Sequence, residues 1–227
     1  MNIVECRDIK KTYQQGNVAV VALDGVSLDI KRGGFIAIAG PSGSGKTTLL
    51  NIMGGLDSAD TGEVVLDGNR LNDMSQSKLA DLRLRGVGFI FQAYNLIPVL
   101  SALENVEYVM LLQGVPSTDR RNRAMAILDD VGLKDTYHRR PAELSGGQQQ
   151  RVAVARAIVS DPYIVLADEP TANLDSKTGR GLLEIMREMN ERKNVTFVFS
   201  THDKMVMDFA RRLVMLHDGK VADDKVK

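Results

Sequence analysis

Phosphate chemistry is written most plainly in Gly40-Pro41-Ser42-Gly43-Ser44-Gly45-Lys46-Thr47, which Thr48 follows. Gly40, Gly45, Lys46 and Thr47 stand at the spacing of a phosphate-binding loop. Glycines let successive backbone N–H groups converge on phosphate oxygens, and a helix leaving the loop adds the positive end of its dipole. Lys46 is then placed to reach the β- and γ-phosphates of a nucleotide, and the Thr47 hydroxyl to ligate Mg²⁺. Serine is commoner at that position, but either hydroxyl offers the same oxygen. A glycine-rich turn can exist without a ligand. Here an apolar strand enters the loop and a helix leaves it, which a bare turn does not require.

A second stretch, Ile164-Val165-Leu166-Ala167-Asp168-Glu169, is an apolar strand ending in two acids. Asp168 at the strand end is suited to hold Mg²⁺, directly or through water. Glu169 is then positioned to orient and deprotonate an attacking water. Alone, such a pair reads equally well as solvated acids after a strand. In a chain that also carries the phosphate loop, it reads as the hydrolytic half of the same site.

Between these lies Leu144-Ser145-Gly146-Gly147-Gln148. Small residues ahead of a helix expected to begin near Gln148 would let its N–H groups approach an anion closely. A bland capping turn is the plainer alternative. With this motif added to the other two, the chain resembles the nucleotide-binding subunits of ABC transporters, and the resemblance covers nearly the whole length. It implies an ATPase that uses ATP and Mg²⁺. It further implies that Tyr13 stacks on adenine, that Gln92 senses Mg²⁺ and the attacking water, and that His202 contacts the γ-phosphate. The loop Asn173-Leu174-Asp175 would cross to a second protomer, bringing Asp175 into the ATP-binding set. Carried over residue by residue, Lys46, Gln92, Glu169 and His202 are the catalytic candidates, and Thr47, Gln92 and Asp168 the metal candidates. Tyr13, Gly40 to Thr48, Ser145, Gly146, Gly147, Gln148 and Asp175 are the ATP-binding candidates. His138 and His217 receive no role.

The same resemblance implies a partner. Two ATP molecules would be sandwiched in a head-to-tail homodimer, with Ser145 to Gln148 of one copy facing the γ-phosphate held by the other. Phe91-Gln92-Ala93-Tyr94-Asn95-Leu96-Ile97-Pro98, Ala102-Leu103-Glu104-Asn105-Val106 and Asp168 to Asp175 look like the branch serving macrolide exporters and lipoprotein-release systems. That branch implies an integral membrane permease, with a periplasmic membrane-fusion protein as a further candidate, and a cytoplasmic chain peripheral to the inner membrane face. The apolar connector Tyr94 to Leu100 is a candidate lining for a groove that takes a permease helix; side chains capping the helical core are the alternative. A non-transport ATPase of a cell-division-type complex, gating an envelope hydrolase, fits the same residues. An ABC-type DNA-repair or translation factor fits less well, lacking tandem domains, zinc insertions or a basic surface, and a small-molecule kinase does not fit Leu144 to Gln148.

The elements that must position these residues alternate between strand and helix. Ala22–Ile30 alternates with period two, and Phe35–Ala39 is a continuous apolar run, the mark of a strand covered on both faces. Lys46 to Gly55 reads as a helix, with strands at 62–68 and 87–91. Helical spacing then dominates: 117–131 carries Ala124, Ile127, Leu128 and Val131, and 148–159 carries Val152, Ala155 and Ile158. Strands return at 163–167, 195–199 and 213–216, around a helix at 178–191 with Leu182, Ile185, Met186 and Met189 inward. Alternating strands and helices predict a largely parallel sheet. The family pattern makes this an α/β P-loop NTPase, RecA-like, with an antiparallel β subdomain and an inserted α-helical subdomain in an L-shaped, two-lobed molecule. The whole of 1–227 is then one ABC ATPase domain, with 1–92 and 161–227 forming the nucleotide-binding lobe and 93–160 the helical lobe with the signature motif.

Composition excludes several other classes. In 227 residues, Lys plus Arg and Asp plus Glu each number 29, so there is no basic excess to neutralise nucleic acid and no nucleic-acid partner is expected. The hydrophobic fraction of 44% supplies an ordinary core. A single cysteine, Cys6, rules out an internal disulfide framework and a multi-cysteine zinc site. The most apolar region, Leu96 to Leu112, carries Pro98, Glu104 and Glu107 and does not read as a membrane span. The first residues lack the basic-then-apolar order of a signal peptide.

Overall fold

The computed structural model describes residues 1–16 and 18–227. Two sheets organise them. An antiparallel sheet has the order β2 (Val18–Lys31), β1 (Asn2–Gln15), β4 (Thr61–Leu66) and β5 (Asn69–Arg70). A six-stranded sheet has the order β10 (Lys220–Val226), β9 (Arg212–His217), β3 (Phe35–Ala39), β8 (Thr196–Thr201), β7 (Ile164–Asp168) and β6 (Val87–Ile90). Its strands from β9 to β6 run parallel, and β10 closes the edge antiparallel to β9.

Both faces of the parallel sheet are covered, which is why its strands are apolar without interruption. Period-two geometry divides each strand between two cores. Ile36 and Ile38 of β3, Ile164 and Leu166 of β7 and Val198 of β8 face α1 (Lys46–Met53) and the antiparallel sheet. Phe35, Ala37, Val165, Ala167, Phe197 and Phe199 face the opposite core. That second core is filled by α3 (Ala102–Leu112), α4 (Ser117–Asp130), α5 (Gly146–Ile158), α6 (Ser176–Lys193) and α7 (Lys204–Phe209). The helices of 93–160 therefore share one apolar core with the sheet: Leu103 and Val106 belong to the same cluster as Phe35 and Phe197. Among the described residues, no helix is long and apolar enough to cross a membrane.

Several boundaries differ from the sequence reading for identifiable reasons. α5 begins at Gly146 rather than near Gln148, because Ser145 is its N-cap and the two glycines form its first turn. α2 (Gln76–Gly86), capped by Ser75, is so polar that only Leu79 and Leu82 touch a core, which leaves no clear apolar face to detect. The six-residue α7 is too short for helical periodicity to show. β10 carries Asp223, Asp224 and Lys225 on an exposed edge and lacks an apolar stripe.

Candidate functional site

The functional candidates gather at the C-terminal ends of the parallel strands, where open α/β sheets place their ligands. The phosphate loop leaves β3, Asp168 ends β7, His202 follows β8 and Gln92 lies two residues past β6. All but Asp168 border one cleft of about 600 Å³ lined by Tyr13, Val20, Val21, Ala22, Pro41, Ser42, Gly43, Gly45, Lys46, Thr47, Thr48, Gln92, Glu169 and His202. At Gly45, φ is +98°, and a Cβ would lie 2.3 Å from the carbonyl oxygen of Ala22, so only glycine fits this step into α1. The buried Lys46 ammonium donates to the carbonyl oxygens of Gly40 and Pro41, each at 2.8 Å. An ammonium has three N–H groups, so one remains free to meet an anion in the loop.

Thr47 and Asp168 face each other. The Thr47 hydroxyl lies 3.0 Å from both carboxylate oxygens of Asp168. A hydroxyl, a carboxylate and the nearby Gln92 amide are hard oxygen donors, too few to cage a cation alone. That set suits Mg²⁺, which keeps several waters and relies on substrate phosphates for the rest of its shell. No group of three or more His, Cys, Asp or Glu side chains placed to hold a metal occurs among the described residues.

Glu169 is held from three sides. Its backbone N–H donates to the Ser200 carbonyl at 2.9 Å, in line with the pairing of Asp168 with Ser200. One carboxylate oxygen lies 2.7 Å from Nδ1 of His202, and the other accepts from the Thr201 hydroxyl at 3.3 Å. Its φ is +46°, a left-handed conformation that non-glycine residues adopt rarely and that clusters at functional sites. The amide of Asn173 donates to the Gln92 carbonyl at 2.9 Å, tying the loop after β7 to the one after β6.

At the other end of the cleft, the β1–β2 register places Tyr13 opposite Val20. Tyr13, Val20 and Val21 are all exposed, an apolar surface beside the phosphate loop. Val20 and Val21 were not legible as site residues, because the alternating pattern that marks β2 starts only at Ala22.

Other candidates lie outside this cleft. Gly40 and Ser44 are buried beneath the loop. Ser145 to Gln148 and Asp175 do not line the cleft of their own chain; they form a second cluster where α5 and α6 begin. Ser145 and Gln148 make a reciprocal capping box, with Ser145 Oγ accepting from the Gln148 N–H at 3.3 Å and Gln148 Oε1 accepting from the Ser145 N–H at 3.0 Å. As at any helix start, the amides of Gly146 and Gly147 have no intrahelical acceptor. Asp175 caps α6 by accepting from the N–H groups of Lys177 and Thr178 and, at 2.6 Å, from the Thr178 hydroxyl. Those bonds, led by the hydroxyl, hold its carboxyl below the usual range.

The connector Tyr94 to Leu100 does not form a groove by itself. Leu96 packs against the helical core, and Arg156 of α5 donates to the carbonyls of Tyr94 and Asn95. The apolar cleft nearby, about 550 Å³, is instead lined by Leu56, Leu84, Phe89, Phe91, Val109 and Leu112, with Arg83, Asn95 and Arg156 among its polar members.

The family model described as ABC transporter matches residues 23–172. A Thermotoga maritima protein described as an uncharacterized ABC transporter ATP-binding protein is 48% identical over 219 residues, 96% of this chain and 93% of that one. The macrolide export ATP-binding/permease protein MacB of Brucella melitensis is 45% identical over 225 residues; the alignment covers 99% of this chain but 35% of MacB. Among solved structures, the dimeric ATP-binding cassette MJ0796 in a post-hydrolysis state bound to ADP and Pi matches with a TM-score of 0.92 and 43% identity, covering 98% of each chain. MJ0796 comes from Methanocaldococcus jannaschii.

Proposed function

This chain belongs to the ABC transporter family, as an ATP-hydrolysing cassette of the type found in MacB and MJ0796, and from that premise we propose that it powers a membrane permease by closing as an ATP-sandwich homodimer. The observation that carries the reading is the convergence of Lys46, Thr47, Gln92, Glu169 and His202 on one cleft with an apolar platform at its far end.

In this reading Tyr13, Val20 and Val21 receive the adenine, and the loop amides with Lys46 receive the phosphates. Thr47, Asp168 and Gln92 would hold Mg²⁺, whose chemistry is to neutralise charge on the phosphate oxygens. Glu169 orients the attacking water and accepts its proton. His202 and Thr201 fix the Glu169 carboxylate, and His202 is within reach of the γ-phosphate side of the cleft. The capping box at Ser145 and Gln148 leaves the amides of Gly146 and Gly147 without an intrahelical acceptor. In a head-to-tail dimer they complete the partner copy's phosphate site, and Asp175 lies at the crossing. Residues 93–160 act as the lobe that carries this signature.

The apolar cleft at Leu84, Phe89, Phe91 and Leu112 is the docking place for a permease helix. The permease is of the macrolide-export or lipoprotein-release kind, and the chain is peripheral to the cytoplasmic membrane face. MacB, a single chain with ATP-binding and permease activities in its name, supports the pairing of such a cassette with a permease.

Glu169→Gln tests the proposal. The amide keeps the volume of the carboxylate and removes the base, so ATP stays unhydrolysed. Gel filtration with saturating ATP and Mg²⁺ is expected to show a dimer that wild type forms only transiently. Monomer alone under those conditions would overturn the sandwich.

A further inference from the structure

The base platform is tied to the phosphate loop by a network outside the motifs. The Tyr13 hydroxyl donates to Asp57 at 2.6 Å, across 44 residues of sequence. The other carboxylate oxygen of Asp57 accepts from the nearly buried Lys11 ammonium at 3.0 Å, and the same ammonium donates to the Ser58 carbonyl at 2.7 Å. Lys11 also sits over the Tyr13 ring, 5.2 Å from its centroid, so one ring face is occupied and the other is left for a stacked partner. Asp57 is anchored in turn: its N–H and that of Leu56 donate to the Asn51 carbonyl within α1, at 3.3 and 2.8 Å. Asp60 fastens the same segment to β1, accepting from the Thr12 N–H at 2.7 Å and donating its own N–H to Lys10 at 2.9 Å.

α1 begins at Lys46 in the phosphate loop and ends beside this segment. Its eight residues span about 12 Å at 1.5 Å per residue. We infer that Asp57 is a positioning residue for nucleotide binding: it locks the Tyr13 ring to the far end of the helix that carries the phosphate loop, fixing the distance between base and phosphate subsites. This rests on the reading of Tyr13 as the adenine platform. Asp57 touches no nucleotide itself and acts only through Tyr13. A free phenol on an exposed strand would have to be ordered on each binding event, and that ordering lowers affinity. The network orders it beforehand. Burial and the Asp57 bond together keep the Tyr13 phenol above its usual range and therefore a donor throughout the neutral region.

Calorimetry with two ligands separates base from phosphate: ADP carries both, and inorganic tripolyphosphate only the second. Asp57→Ala is expected to weaken ADP about three- to tenfold, the scale of one net hydrogen bond, and to leave tripolyphosphate unchanged. Asp57→Asn keeps an acceptor for the phenol and should bind ADP more tightly than Asp57→Ala. Tyr13→Phe should weaken ADP similarly, and adding Asp57→Ala to it should weaken ADP no further. Equal loss for both ligands, or a further loss in the Tyr13→Phe background, would overturn the inference, because Asp57 would then act on the fold at large. If Tyr13→Ala weakens ADP and Asp57→Ala does not, the Asp57 link alone fails. If Tyr13→Ala binds ADP like wild type, the platform reading fails and takes the link with it.

Discussion

Lys46 and His202 both border the cleft, yet their surroundings assign them different work. Lys46 is buried in the loop with one N–H still unused, so in the proposed site it meets phosphate whenever nucleotide binds. The His202 side chain is 69% exposed, and its contact is with Glu169, the proposed general base. Lys46→Ala should abolish nucleotide binding. His202→Ala should bind nucleotide nearly as wild type and lose about a hundredfold or more in turnover, the range for a group that matters in the transition state. Equilibrium binding and steady-state hydrolysis on the two variants check this, and equal loss of affinity in both would contradict the division. Most of the cleft was legible at this scale because loop chemistry demands fixed spacing: Gly45, Lys46 and Thr47 must be adjacent for one helix start to present them together. Asp57 was not legible. Nothing in local spacing tells that a carboxylate beyond α1 reaches a tyrosine on β1, because the contact exists only once the antiparallel sheet has folded beside α1.

At the scale of elements, α5 and α6 meet at their first turns, and the fit is set by one glycine. A Cβ on Gly147 would lie 2.6 Å from Cγ2 of Thr178. Thr178 cannot rotate clear without cost, because its hydroxyl is bonded to Asp175 at 2.6 Å and its backbone N–H to the same carboxylate. The need for a small residue there thus has a packing cause within the chain, separate from any approach of an anion to the helix start. Gly147→Ala should destabilise the fold by about 1–3 kcal/mol, the cost of overpacking, partly offset by the better helix propensity of alanine. Adding Thr178→Ser removes Cγ2, keeps the hydroxyl cap and should restore most of the loss in urea denaturation. No recovery in the double variant would place the strain elsewhere. Three of the elements that the sequence did not announce share a physical cause. α2, α7 and β10 contribute little to either core, so they leave little hydrophobic period to detect. Phe35–Ala39 and Ile164–Asp168 are covered on both faces and showed themselves as unbroken apolar runs.

At the scale of the whole molecule, a cassette can drive a permease only through a surface that moves when nucleotide closes the dimer. In the proposed cycle the apolar cleft beside Phe91 is that surface. It is lined by β6 and α3, Gln92 follows Phe91 directly, and Arg156 of α5 reaches the same cleft while holding the carbonyls of Tyr94 and Asn95. α5 is also the helix whose first turn follows Ser145 and carries Gly146 to Gln148, so in the proposed dimer engagement of that turn by a partner copy would shift the cleft through one rigid element. The burial of Arg156 without a carboxylate partner among the described residues lowers its pKa and leaves its charge balanced only by carbonyls. A docking helix with apolar contacts and an acidic residue would suit such a lining. Leu56 and Leu112 are 46% and 56% exposed at its rim, so polar substitutions there do not open a core. Leu112→Glu and Leu56→Glu should leave thermal stability and ATP binding of the isolated chain within about 0.5 kcal/mol of wild type, as expected for surface positions. The same variants should lose co-purification with the permease and permease-stimulated ATP hydrolysis. Leu96→Glu, in the core-packed connector, should instead lower stability before any effect on assembly can be read. Undiminished assembly by both rim variants would move the docking surface away from this cleft.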